Sequence, residues 1–151
     1  MQILRVKLIH PAAKAPSKMT QGSAGFDLYA AESVEIPPTR CDPDGCAEVG
    51  RALVPVGIEL ELPQGTVGRI ASRSGLSVGR NMEVGAGWID SDYRGALMVE
   101  LKNLGSKPQR VNQGDRIAQL VVIPLANVEL RVVSHLSETA RDSSGFGSTG
   151  R

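Results

Sequence analysis

Apolar and polar residues alternate along much of the chain. Leu4, Val6 and Leu8 are separated by Arg5 and Lys7, and Ile58, Leu60 and Leu62 by Glu59 and Glu61. Leu97, Val99 and Leu101 stand in the same way among Met98, Glu100 and Lys102. A period of two puts every second side chain on the same face of an extended backbone, so each run predicts a half-buried strand. Ile117 to Ile123 and Val128 to Val133 predict two more strands late in the chain. Between the runs lie Pro37-Pro38, Pro63-Gln-Gly65, Gly85-Ala-Gly87, Gly105-Ser-Lys-Pro108 and Gln113-Gly114, breakers at the spacing of turns in a sandwich or barrel. Helical periodicity is nearly absent, and only Ser74 to Val78 reads as a short helical turn. The pattern predicts an all-β fold, a jelly roll or a related distorted β-barrel.

At 151 residues the chain is long enough for one domain with a substantial core. Its 17 Lys plus Arg nearly balance 16 Asp plus Glu. That balance argues against a nucleic-acid groove or a membrane-binding basic patch, and an anionic ligand must therefore meet locally placed cations. No stretch reaches the roughly 20 apolar residues of a membrane span. The most apolar one, from Ile117 to Val128, is interrupted by Gln119, Pro124 and Asn127. The N-terminus lacks the pattern of a signal peptide, so a soluble, cytoplasmic protein is expected. Cys41 and Cys46, with His10 and His135 as the only histidines, are too few for a tetrahedral zinc site, and Cys41 to Cys46 reads as a solvated turn. After Val133 almost nothing remains to bury. This divides the chain into a β-barrel over residues 1–135 and a mobile tail over residues 136–151.

Three polar constellations stand out. In Gly87-Trp-Ile-Asp-Ser-Asp-Tyr-Arg-Gly95, Asp90, Asp92, Tyr93 and Arg94 crowd one turn. In Gly68-Arg-Ile-Ala-Ser-Arg-Ser-Gly-Leu-Ser77, Arg73 and Ser74 precede a glycine and a helix start, a pairing of guanidinium fork and hydroxyl suited to phosphate. Gln119 interrupts the apolar run that begins at Ile117. The chain has two Phe, two Tyr and one Trp. Phe26 and Trp88 read as core fillers. Phe146 is stranded among glycines, with Arg141 before it and hydroxyls after it, as in a tail that folds over a ligand.

These segments, taken in order, resemble the five motifs of the trimeric deoxyuridine triphosphatases (dUTPases): AGFDLYAA from Ala24, GRIASRSGLS from Gly68, VGAGWIDSDYRG from Val84, GDRIAQL from Gly114 and RDSSGFGSTG from Arg141. The resemblance implies a jelly-roll-like homotrimer with C-terminal arm exchange, whose active sites are shared between chains. The implied reaction is dUTP plus water to dUMP plus pyrophosphate with Mg²⁺, which limits uracil incorporation into DNA and supplies dUMP for dTMP synthesis.

Carried over by motif, Asp90 is the carboxylate that activates water for attack on the α-phosphorus, and Tyr93 is the ring that packs on deoxyribose and excludes a 2′-hydroxyl. Val84, Gly85, Ala86 and Gly87 form the hairpin whose main chain reads uracil, with Gly85 and Gly87 allowing close approach to the base. Arg73, Ser74 and Gly75 bind phosphate, Gln119 lies near the phosphates and water, and Asp27 lies near the metal and acts through water. In the tail, Arg141 reaches phosphate, Phe146 stacks on uracil, and Gly147, Ser148 and Thr149 close over the triphosphate.

Three features depart from the family pattern. Trp88 replaces a smaller apolar residue, Asp142 places a negative charge beside Arg141, and Pro38 to Gly50 reads as a loop insertion. The nearest rivals are a dCTP deaminase, which shares the fold, and a non-enzymatic trimeric nucleotide-binding module. The intact IDSDYRG and the glycine-rich fifth motif point to the hydrolase.

Overall fold

A computed structural model describes residues 2–45 and 47–139. In chain order the elements are β1 (Arg5–Leu8), β2 (Phe26–Tyr29), β3 (Val34–Ile36), β4 (Arg40–Cys41), β5 (Ala47–Glu48), β6 (Gly50–Glu61) and β7 (Thr66–Ala71). They continue as α1 (Ser74–Arg80), β8 (Met82–Val84), β9 (Trp88–Ile89), β10 (Ala96–Asn103), β11 (Gln109–Val111) and β12 (Arg116–Pro124). The breakers seen in the sequence fall between strands as predicted. Gly65 and Gly114 take left-handed φ values of 70° and 86°, which a side chain would resist.

Two four-stranded sheets carry the fold, ordered β1-β6-β10-β8 and β2-β12-β7-β9, and all pairings are antiparallel. Two ribbons, β3-β11 and β4-β5, lie beside them. The alternation seen in the sequence decides which faces meet. Val54, Val56, Leu97 and Val99 from one sheet and Leu28, Ile70, Ile117 and Leu120 from the other are all essentially inaccessible and share one core. Burying a side chain of this size stabilises the fold by about 1.5–3 kcal/mol relative to exposing it. The architecture is the all-β arrangement the sequence predicts, with a single short helix where Ser74 to Val78 suggests one.

Two strand predictions need revision. β1 is an edge strand, and Leu8 is exposed rather than half-buried. Val128 to Val133 forms no strand. β12 ends at Pro124, beyond which Val128, Leu130 and Val132 alternate correctly but are 81–93% exposed. Alternation creates an apolar face, but a strand also needs a neighbouring backbone, and none of the described residues pairs with this segment. The last strand among the described residues is therefore β12.

The β3-β11 ribbon is tied to the larger body by one buried polar side chain. Asn103, fully buried at the end of β10, donates from Nδ2 to the carbonyls of Ile36, Pro37 and Lys107, and its Oδ1 accepts the Gly105 amide at 3.0 Å. An isosteric apolar residue leaves these backbone groups without a partner. Asn103→Leu is expected to cost about 2–4 kcal/mol, read as a lower urea midpoint with an unchanged m-value at fixed protein concentration.

Candidate active site

The strand order β2-β12-β7 brings three distant segments together. Gln119 in β12 is paired with Asp27 in β2 on one side and with Ala71 at the end of β7 on the other. Ser72 and Arg73 follow directly, so the first, second and fourth motifs meet at one edge of the sheet. Asp27 is largely buried and holds two guanidinium groups. Arg73 Nε donates to its Oδ1 at 3.1 Å, and Arg116 Nη1 donates to its Oδ2 at 3.2 Å. Arg73 Nη1 also donates to the Arg116 carbonyl at 3.0 Å, and Gln119 Nε2 to the Ser72 carbonyl at 3.2 Å.

Two cations against one carboxylate leave a local positive excess in a nearly neutral chain. Arg73, Arg116 and Arg80, with Asp115, line a cleft of about 310 Å³. Ser74 and Gly75 are exposed at the start of α1, and a Cβ added at Gly75 would meet nothing within 4 Å. The site thus offers a fixed guanidinium pair beside an open serine and glycine, a suitable arrangement for a polyanion.

The hairpin from Val84 to Gly87 lies beside this turn. The Val84 amide donates to Ser72 Oγ at 2.9 Å, the Gly85 amide to the Glu100 carbonyl at 2.9 Å and the Ala86 amide to Glu100 Oε2 at 2.8 Å. The Gly87 carbonyl accepts the Ile70 amide at 2.7 Å. Both glycines are needed by the protein's own packing. A Cβ at Gly85 would lie 2.0 Å from Glu100 Oε2, and one at Gly87 would lie 2.6 Å from the Ile70 carbonyl oxygen. Trp88 is not a core filler. It is 64% exposed, with the Arg69 guanidinium 5.1 Å from its ring centroid, an arrangement that lets an indole stay at the surface. Phe26 is partly buried, under the ammonium of Lys18.

Asp90 and Tyr93 occupy the turn after β9. The Tyr93 amide donates to the Asp90 carbonyl at 3.2 Å, and the Tyr93 hydroxyl donates to the Ala96 carbonyl at 3.1 Å. Gly95 passes directly under the ring, since a Cβ there would fall 2.4 Å from the phenolic oxygen. Asp90 is exposed and Tyr93 half-exposed. Within one chain these residues do not join the arginine cluster. Ile89 is paired with Gly68, and the chain then runs five residues to Arg73, on the order of 16 Å in the opposite direction from Asp90. Arg141, Phe146, Gly147, Ser148 and Thr149 lie outside the described residues.

Five participants were not singled out in the sequence: Arg116, Ser72, Ser77, Glu83 and Glu100. Ser72 and Ser77 stand inside the second motif and Arg116 inside the fourth, so their position is a usable signal. Glu83 looks like an ordinary polar residue of a strand. Its carboxylate accepts the hydroxyls of both Ser72 and Ser77, and these two bonds, with that from Ser72 the stronger, hold its pKa below the usual 4.5. Lys102 is its partner across the β8-β10 pair.

The described residues contain no group of three or more His, Cys, Asp or Glu side chains able to hold a metal. Both oxygens of Asp27 are already engaged by arginine, which leaves it suited to contact a cation through water and not as a direct ligand. Contact through water is compatible with Mg²⁺, which retains waters and commonly binds through substrate phosphates.

Comparison with known proteins gives a consistent answer. The family model described as dUTPase matches residues 12–150. The chain is 45% identical to the deoxyuridine 5′-triphosphate nucleotidohydrolase of Wolinella succinogenes, over 98% of this chain and 94% of that protein. It is 42% identical to the enzyme of the same name from Candida albicans, over 99% and 89%. Among solved structures it is similar to the Staphylococcus bacteriophage 80alpha dUTPase with dUpNHpp, with a TM-score of 0.87 and 28% identity over the whole of both chains. A mutant dUTPase of phage phi11 of S. aureus, solved for the coordination of a structural Mg(II) ion, matches with a TM-score of 0.77 and 26% identity over 88% of this chain and 97% of that one.

The depressed pKa of Glu83 gives a signed expectation. Its bonds to Ser72 and Ser77 add stability above about pH 4.5, and that contribution is lost as the pH falls through the lower folded value. Glu83→Gln is therefore expected to melt below the wild type near neutral pH, with the gap closing on acidification. Melting curves of both proteins across this range check it.

Proposed function

The chain belongs to the dUTPase family, and from that premise we propose that it hydrolyses dUTP to dUMP and pyrophosphate by attack of water on the α-phosphorus. The observation that carries this reading is the grip of Asp27 on both Arg73 and Arg116 beside the exposed Ser74 and Gly75. A buried carboxylate fixes the two guanidinium groups before any ligand arrives, so little ordering is left for binding to supply. Arg73, Ser74 and Gly75 take the phosphates, and Gln119, already turned toward Ser72, lies next to them.

Asp90 acts as general base. It is exposed at the turn after β9, where its carboxylate can reach a water. Tyr93 is braced by its bond to Ala96 and by Gly95, and its ring face bars a 2′-hydroxyl. The main chain of Val84, Gly85, Ala86 and Gly87 reads uracil. Asp27 would hold Mg²⁺ through water, and the ion bound with the triphosphate would supply charge neutralisation. By motif, Arg141, Phe146, Gly147, Ser148 and Thr149 form a lid over the substrate, part of a tail that begins near residue 136.

The distance along the strand between Arg73 and Asp90 supports a site completed between copies, in a homotrimer. The exposed Val128, Leu130 and Val132 suit an arm laid across a neighbouring copy. This reading makes the physiological role the removal of dUTP before uracil enters DNA, with dUMP supplied for dTMP synthesis. No helix among the described residues is long and apolar enough to cross a membrane.

Pyrophosphate release measured with Mg²⁺ is expected to be strong for dUTP and weak for dTTP, dCTP and UTP, with no ammonia from dCTP. Equal hydrolysis of all four would overturn the roles of the hairpin and Tyr93. Asp90→Asn should lower kcat by about 10²–10⁴-fold while retaining nucleotide binding. Phe146→Ala should lose most turnover without a fall in melting temperature.

A further inference from the structure

Ser72 and Ser77 stand at the two ends of the segment that contains Arg73, Ser74 and Gly75. Both hydroxyls donate to one side chain, Ser72 to Oε2 of Glu83 and Ser77 to Oε1. Glu83 thus closes the segment into a loop, one carboxylate oxygen for each end. Neither serine touches the expected ligand through these bonds. What they fix is the path of the backbone between them, including the exposed Ser74 and Gly75.

The neighbouring hairpin does not depend on Glu83 to the same degree. Its Gly85 and Ala86 amides are held by Glu100, and its Gly87 carbonyl by the Ile70 amide. Only the Val84 amide reaches the Glu83 network, through Ser72 Oγ. The phosphate turn is held at its start by Arg73 on Asp27 and Gln119 on the Ser72 carbonyl, and by the Leu76 and Ser77 amides on the Arg73 carbonyl. Among the described residues Glu83 is the one side chain that ties both of its ends, whereas the base-reading hairpin has three ties of its own.

We propose that Glu83 is a positioning residue for the phosphate end of the substrate, setting the separation and orientation of Ser74 and Gly75 without touching the nucleotide. This rests on the dUTPase reading of the site. A carboxylate suits the task because it only accepts, and each of its oxygens meets one hydroxyl. A glutamine would turn an amide toward one of the serines and force its hydroxyl to reverse. In the case of Ser72, that hydroxyl already accepts the Val84 amide.

The test compares two ligands on the full chain: the non-hydrolysable imido analogue of dUTP, which engages both ends of the site, and deoxyuridine, which engages only the base and sugar end. Glu83→Gln is expected to weaken the imido analogue by at least ~10-fold and deoxyuridine by less than ~3-fold. Ser77→Ala, which breaks one tie and leaves the Val84 bond intact, should show a smaller loss in the same sense. It carries the test should Glu83→Gln fail to fold. A purely structural role for Glu83 would lower the melting temperature but would not separate the two ligands. Parallel losses for both, or no loss for either, would overturn the proposal while the wild type still binds and hydrolyses dUTP. A wild type that neither binds the analogue nor hydrolyses dUTP would overturn the functional reading and this one with it.

Discussion

A single buried carboxylate organises the polar end of this molecule. Asp27 sits in β2 beside Gln119 of β12, level with the end of β7, and each of its oxygens takes one guanidinium. A carboxylate in that position is tolerable only when it is paired, and two arginines left together without it would repel. The pairing therefore fixes more than its own residues. Arg73 begins the turn that leads into the helix, and Arg116 begins the strand that carries Gln119. Through them one side chain sets where the second and fourth motifs stand with respect to the first.

The sheet makes this possible by register alone. Alternation in the sequence determines which face of each strand is apolar, and the antiparallel order places Asp27, Gln119 and Ala71 side by side although they are far apart in the chain. The hairpin and the turn after β9 follow from the same pairing. β9 runs along β7 toward the opposite end, so Asp90 and Tyr93 are carried away from the arginines by the geometry that holds the fold together. A site using both ends of β7 is more naturally shared between molecules than folded within one.

Much of this was legible from residue order. The strands around Ile58, Val99 and Leu120, the turns at glycine and proline, and the short helix after Arg73 all follow from period-two alternation and local breakers. Trp88 was misread because apolarity alone does not place an indole, and the arginine that lets it remain outside is nineteen positions earlier across a strand pair. Val128 to Val133 was misread because a strand is a relation between two segments, whereas alternation belongs to one. Glu83 carried no signal, since its role is defined by serines eleven residues before it and six before it that meet it only in the folded chain. The glycines of the hairpin have a reason within this chain that residue order does not carry, since Glu100 and Ile70 leave no space for a side chain there.

The long exposed segment after Pro124 also bears on how the molecule reaches its final state. The sheets close through pairings such as Arg5 with Glu61 and Asp27 with Gln119, which require distant parts of the chain to meet and make folding slow compared with that of helical proteins of similar size. Throughout that interval Val128, Leu130 and Val132 remain available to any passing strand edge. An apolar segment left open while the sheets close slowly is where the folding chain is most exposed to aggregation.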